Sequence, residues 1–348
     1  MSLTQSMSSS KTKIFFRADG NSEVGLGHVV RSLALVEMLK MDFECKFLIR
    51  TPDKDVVKLI QNYCPLIPLD SNTTYFDESS LLNTYIENRD IMVIDGYHFD
   101  SDYQKKLKSY VYKLVTIDDE ASFDIYADLL INHGNPAVAG NYKLKQNTKL
   151  LLGPDYLMVR HNFRKTAKQH RKLTKIDSVF ICMGGADPYN ITPKVVKSAL
   201  GCSFLKKIIV VTGSAFHFDE EMSKLTNNNN IQWEQNISAE KMIELIESCD
   251  IAITTASSIS LEVCCVKVGL LIGIVASNQQ NIHDYLISEG CALTINDFRK
   301  ASEDEIKDKL FQLRNLELIN QLVQKQTKLF DGLSGERIRS EFKMLTNE

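Results

Sequence analysis

Arg17-Ala18-Asp19-Gly20-Asn21-Ser22-Glu23-Val24-Gly25-Leu26-Gly27-His28-Val29-Val30-Arg31 carries a strand end, a glycine-bearing loop, a histidine and a helix start in immediate succession. Ile14, Phe15 and Phe16 before it read as a short buried strand, and Val29 to Leu39 repeats apolar residues at helical spacing. Strand, loop and helix in that order are the building unit of an α/β sheet. Gly25 and Gly27 let the loop turn tightly and bring its N–H groups up to an anion. His28 falls in the first helical turn, at the carboxyl edge of the sheet where open α/β folds bind ligands. The helix dipole there disfavours a charged imidazolium. The pattern describes a neutral base beside a phosphate site, and it also fits a tight turn with a histidine capping the helix. The third glycine of the dinucleotide fingerprint is absent, which argues against a nicotinamide site.

Working outward, apolar runs at 13–16, 45–49, 91–94, 114–117 and 129–131 alternate with helical stretches near 28–40, 53–62, 77–88 and 101–109. The periodicity fades between 141 and 175. It resumes with strands at 179–182, 208–211, 251–253 and 270–274 and helices near 190–200, 238–248, 258–267 and 279–288. The reading is α/β: two Rossmann-like domains with parallel sheets facing across a cleft. The expected divisions are a disordered tail over 1–11, a first domain over 12–165 carrying His28, a nucleotide-binding domain over 166–330 and a helical segment over 331–348. Gly332 and Gly335 should break the terminal helix near Asp331.

Polar clusters follow the strands of the first half: Asp95-Gly96-Tyr97-His98, Asp118-Asp119-Glu120 and Asn132-His133-Gly134-Asn135. A parallel sheet brings them to the same edge as His28. Helix caps and turns use the same residue types, and Asp119 and Asn135 fit that plainer role better. In the second half, Met183-Gly184-Gly185 follows a strand and offers amides to a phosphate. Ser257 and Ser258 open a helix suited to a diphosphate, and Glu262 one turn later suits a ribose diol. Asn278 and Gln279 open another helix at the same edge.

Of the 348 residues, 44% are hydrophobic and 24% charged, with a net charge of −3, which gives no general attraction to nucleic acid or an anionic membrane. The basic run from Arg160 to Lys175 reads as a solvated interdomain segment. The cysteines show no Cys-x-x-Cys spacing and sit in apolar surroundings, as reduced core residues of a cytoplasmic protein do. No apolar run is long enough to span a bilayer.

Taken together, Arg17-Ala-Asp-Gly with Gly25-Leu-Gly-His28, Asp95-Gly-Tyr97, Ile117-Asp-Asp119, Leu152-Gly-Pro154-Asp-Tyr156, Met183-Gly-Gly-Ala-Asp187-Pro, Glu262-Val-Cys-Cys265 and Asn278-Gln279 resemble a family. It is the UDP-2,4-diacetamido-2,4,6-trideoxy-β-L-altropyranose hydrolases of pseudaminic acid synthesis, with the related spore coat polysaccharide proteins. The resemblance covers nearly the whole chain after residue 12. It implies the two-Rossmann GT-B architecture and hydrolysis of a UDP-sugar at the anomeric carbon with inversion, using no metal and no cofactor. It further implies a catalytic role for His28, with Asp19, Asp95 and Tyr97 around it. Arg17, Gly25, Gly27, Met183, Gly184, Gly185, Ser257, Ser258, Glu262, Asn278 and Gln279 are the implied nucleotide and sugar contacts. The chain departs from the family's usual glycines at Ala256 and Ser257, which points to an altered substrate. A glycosyltransferase of the same architecture, a hydrolysing 2-epimerase and a catalytically silent sugar-nucleotide binder are the competing readings.

Overall fold

The computed structural model describes residues 11–21, 25–70, 72–145 and 147–347. Apart from Lys11, the expected tail lies outside the described residues, as do residues 22–24 of the His28 loop. The strands are β1 (Lys13–Ala18), β2 (Glu44–Arg50), β3 (Leu66–Leu69), β4 (Ile91–Asp95), β5 (Lys113–Ile117), β6 (Asp124–Ile125), β7 (Leu129–Asn132), β8 (Lys143–Leu144), β9 (Lys149–Leu152), β10 (Ser178–Cys182), β11 (Lys207–Thr212), β12 (Ile231–Gln235), β13 (Ile251–Thr255), β14 (Gly269–Ile274) and β15 (Leu293–Asp297). They form a seven-stranded sheet ordered β3-β2-β1-β4-β5-β7-β9, a six-stranded sheet ordered β12-β11-β10-β13-β14-β15, and a small β6-β8 ribbon. All pairings in the two large sheets are parallel. Their central strands are near-continuous Val, Ile and Leu because helices cover both faces.

Each sheet separates two apolar layers. In the first lobe, Phe16, Val36, Phe47 and Val93 pack on one face and Phe15, Met92, Tyr103 and Leu114 on the other. In the second, Phe180, Val263 and Leu286 face one way and Ile181, Val195 and Phe298 the other. The edge strands β3, β9, β12 and β15 escape the periodicity because they are short and carry polar residues or proline on partly exposed faces.

The chain crosses between lobes earlier than the 165/166 division. Leu157 and Val159 already lie in the second lobe's core, and the helix His161–Ala167 puts Phe163 and Ala167 there too. Its basic residues masked that apolar side. The terminal region forms helices Leu316–Leu329 and Ser334–Asn347, broken at 330–333, with Gly335 inside the last. That last helix returns to the first lobe and buries Ile338, Phe342 and Leu345 in its core. Among the described residues, no helix is long and apolar enough to cross a membrane.

Candidate active site

Parallel pairing of β1 with β4 sets Ala18 beside Asp95, so the loop after β1 and the end of β4 meet at one edge. The helix Gly27–Leu39 starts there and presents His28 and, one turn on, Arg31 to the same carboxylate. Asp95 Oδ1 accepts from His28 Nδ1 at 2.7 Å and from Arg31 Nη2 at 2.6 Å; its Oδ2 accepts from Arg31 Nε at 2.9 Å and Ser32 Oγ at 3.2 Å. Arg31 Nη1 donates to Asp119 Oδ2 at 2.8 Å. Burial alone would raise the Asp95 carboxyl, but Arg31 and His28 outweigh it and hold the group below the usual carboxylate range. An ionised carboxylate only accepts, and a lone pair facing it at this distance would be repelled. Arg31 Nη2 also stands 3.1 Å from Nδ1, but the shorter contact with Asp95 decides the tautomer: His28 carries its proton on Nδ1, which leaves Nε2 as the basic nitrogen.

Tyr97 sits edge-on to the His28 ring, with centroids 4.7 Å apart. Asn278 Nδ2, from the other lobe, donates to the Tyr97 hydroxyl at 3.2 Å, and Asn281 Nδ2 donates to the Asp119 carbonyl at 2.7 Å. Between the lobes these residues enclose a cavity of about 240 Å³ lined by His28, Tyr97, Asp119, His133, Ser257 and Asn278, among others. Burial lifts the Tyr97 phenol well above its ordinary value, so this hydroxyl is neutral.

A second interlobe cavity, of about 360 Å³, shares Gly27, Arg31, Ser257 and Ser258 with the first and extends to Gly184, Gly185 and Glu262. Gly184 has φ +100°, and a Cβ built on Gly25, Gly27, Gly184 or Gly185 would meet no heavy atom within 4 Å. At these positions no side chain stands between the backbone and the cavity space. The helix Ser258–Val266 opens here, and Ser257 at its N-cap makes no side-chain cap hydrogen bond. Ser257 has ordinary extended backbone (φ −133°, ψ −167°), so a side chain at this position introduces no strain. Glu262 is buried and receives Arg160 as a fork, Nε to Oε1 and Nη2 to Oε2 at 3.0 Å each. Burial raises its carboxyl, and Arg160 opposes that rise.

Four of the residues singled out in the sequence stand differently. Arg17 is fully buried, and its guanidinium is engaged by Asp19 and Glu78. Asp19 also receives Tyr75 and the Arg50 amide; neither Arg17 nor Asp19 lines the two interlobe cavities. Met183 packs in the second lobe's core beneath the glycines. Gln279 borders the smaller cavity, but its Oε1 accepts from the Val275 amide at 2.8 Å. Conversely, Arg31 and His133 line the cavities without having been assigned a role, and Asp119, read as a cap or turn residue, instead accepts from Arg31 and lines the smaller cavity, while Arg160 lines the larger one. The three-residue spacing of His28 and Arg31 was the available signal; Arg160 looked like one more charge in a solvated run. That run is partly buried stitching, with Arg164 donating to the Val159 carbonyl at 2.5 Å.

No protein-family model matches the chain. It is 27% identical over 285 residues to the UDP-2,4-diacetamido-2,4,6-trideoxy-β-L-altropyranose hydrolase of Campylobacter jejuni, which covers 80% of this chain and 97% of that protein. The Bacillus subtilis spore coat polysaccharide biosynthesis protein SpsG is 24% identical over 282 residues, 80% of this chain and 82% of that one. An uncharacterized protein of Methanocaldococcus jannaschii is 30% identical over 256 residues, 70% of this chain; the match spans 51% of that protein, about half its length. Among solved structures, MurG of Acinetobacter baumannii superposes with a TM-score of 0.65 at 12% identity, covering 96% of this chain and 99% of that one. MnaA of S. aureus with UDP gives 0.66 at 12%, covering 97% of each. The fold is GT-B. At these identities the likeness extends to the fold, and the chemistry rests on the site.

Proposed function

We propose that this protein is an inverting hydrolase of a UDP-activated, N-acetylated deoxyhexose that releases UDP and free sugar for surface-glycan or nonulosonic acid biosynthesis. The observation that carries the reading is the His28 imidazole, held through Nδ1 by Asp95 and bordering a cavity between two lobes. Similarity to the C. jejuni hydrolase over nearly all of that protein's length supports it.

In the proposed reaction, His28 Nε2 takes a proton from water as the water oxygen attacks C1 of the sugar. The C1–O bond breaks, and its electron pair leaves with the diphosphate. A single displacement inverts C1. Asp95 holds the histidine's tautomer and offsets the charge that develops on the ring, the part a carboxylate plays behind a catalytic histidine. The Gly184–Gly185 turn, which lines the larger cavity, and the start of the helix Ser258–Val266 would meet the departing negative charge. Glu262 would take the ribose hydroxyls, with Arg160 shifting or sharing its oxygens. Release of UDP from a panel of UDP-sugars by the wild type, and its loss in His28→Asn, tests the reading.

A further inference from the structure

Two polar atoms at the edge of the smaller cavity are buried without a protein partner among the described residues: His133 Nε2 and Asp119 Oδ1. Their residues follow β7 and β5, which pair in parallel register, so both emerge at the carboxyl edge beside His28. The remaining valences of each are settled. His133 Nδ1 accepts the Met158 amide at 3.2 Å. An amide N–H can only donate, so Nδ1 holds the lone pair. Burial pushes this imidazole down to about 3, so the ring is neutral and its one proton is on Nε2. Asp119 Oδ2 is taken by Arg31, and the Asp119 main chain is tied to Asn281 across the cleft, which fixes where Oδ1 stands. A buried donor and a buried acceptor left unmet are each destabilising. Such groups persist where a ligand or water completes them.

We infer that His133 and Asp119 form a donor–acceptor pair that reads the sugar, His133 Nε2–H donating to and Asp119 Oδ1 accepting from one hexose substituent. A hydroxyl or an acetamido group has the required chemistry, since each accepts one hydrogen bond and donates another. Both residues line the cavity that also holds His28, Tyr97 and Asn278, so the substituent they bind lies near the reacting centre. The inference rests on the proposed UDP-sugar chemistry and names the residues that select the sugar within it.

The test is calorimetric titration in a His28→Asn background, which slows turnover, with UDP, UDP-glucose and UDP-N-acetylglucosamine as probes. The parent should bind at least one sugar nucleotide more tightly than UDP. His133→Ala and Asp119→Asn should each remove roughly tenfold of that affinity and leave UDP binding unchanged, as expected when one buried hydrogen bond is lost. His133→Gln, which keeps a donor at the same reach and guards against a variant that fails to fold, should retain most of it. Preference for UDP-N-acetylglucosamine over UDP-glucose would identify the acetamido group; equal affinity would identify a hydroxyl. Folded His133 and Asp119 variants that bind the sugar nucleotides like the parent would overturn the inference and leave water as the pair's partner, as would a parent to which no sugar adds affinity. Failure of the parent to bind UDP would strike the nucleotide reading itself.

Discussion

Nδ1 of His28 donates to Oδ1 of Asp95 at 2.7 Å, joining the first turn of a helix to the end of a strand 67 residues later. The same carboxylate is gripped by Arg31 through two nitrogens. The arrangement assigns the histidine its tautomer, and it makes the position of the proposed base a property of the first lobe's sheet edge. The groups proposed to face the nucleotide sit on the other lobe, so the proposed base and the proposed nucleotide site can be perturbed separately.

Removing the base should therefore affect turnover and spare nucleotide binding. His28→Asn should lower kcat on the order of 10²–10⁴-fold, the usual contribution of a general base, with UDP affinity nearly unchanged. Steady-state kinetics and UDP titration on the same preparation check both halves of the statement.

Asp95 is expected to matter for stability as well as rate, because it is buried and neutralises Arg31. Asp95→Ala leaves that guanidinium with Asp119 alone and should cost about 3–5 kcal/mol, the range for breaking a buried ion pair by removing one partner. Asp95→Asn keeps the volume and should lose less stability while still depressing kcat. Urea unfolding followed by circular dichroism gives the first quantity.

Glu262→Ala should weaken UDP binding by about 1–3 kcal/mol through loss of charged hydrogen bonds to the ribose. On the proposed reading the wild type displaces or shares Arg160 on binding, so part of the carboxylate's gain is already spent on that pair. Equal affinities of wild type and variant in calorimetry would remove Glu262 from the nucleotide site.

Acid should destabilise the first lobe from near-neutral pH downward. Burial lowers His133 to about 3 and His98 to about 4. An unfolded histidine takes up its proton near 6.5, so between that value and the folded ones the unfolded chain binds more protons and stability falls as pH falls. The slope is at most about 1.4 kcal/mol per pH unit for each histidine. Asp95, held low by Arg31 and His28, adds the same sign below about 4, where unfolded carboxylates protonate and its stabilisation is progressively lost. Chemical denaturation from pH 8 to pH 4.5 should show the decline, and His133→Gln should flatten it.

The parts of this site legible in the sequence were those carried by a strand end and the helix after it. His28, Asp95 and Tyr97 each lie within a few residues of an apolar run, and parallel topology brings such ends together without knowledge of side-chain direction. Direction is where the reading failed. Arg17 sits between Phe16 and Ala18, whose side chains enter the core on one face; the strand's alternation sends Arg17 to the other, into Glu78 61 residues away. Pairings at such range leave no local trace, and Arg160 with Glu262, separated by 102 residues, was invisible for the same reason. His133 was visible only as one member of a polar cluster, because its tautomer depends on the Met158 amide 25 residues on.

The central claim is cleavage of the sugar–oxygen bond by water under His28. It is tested most directly by incubating the wild type with UDP-sugars in ¹⁸O-labelled water and weighing the products by mass spectrometry, with the sugar's anomer followed by NMR. The account expects UDP without label and a free sugar first released with inverted C1, activity that His28→Asn loses. Label in the UDP, retention at C1, or no UDP released from any sugar nucleotide by folded wild-type protein would contradict it.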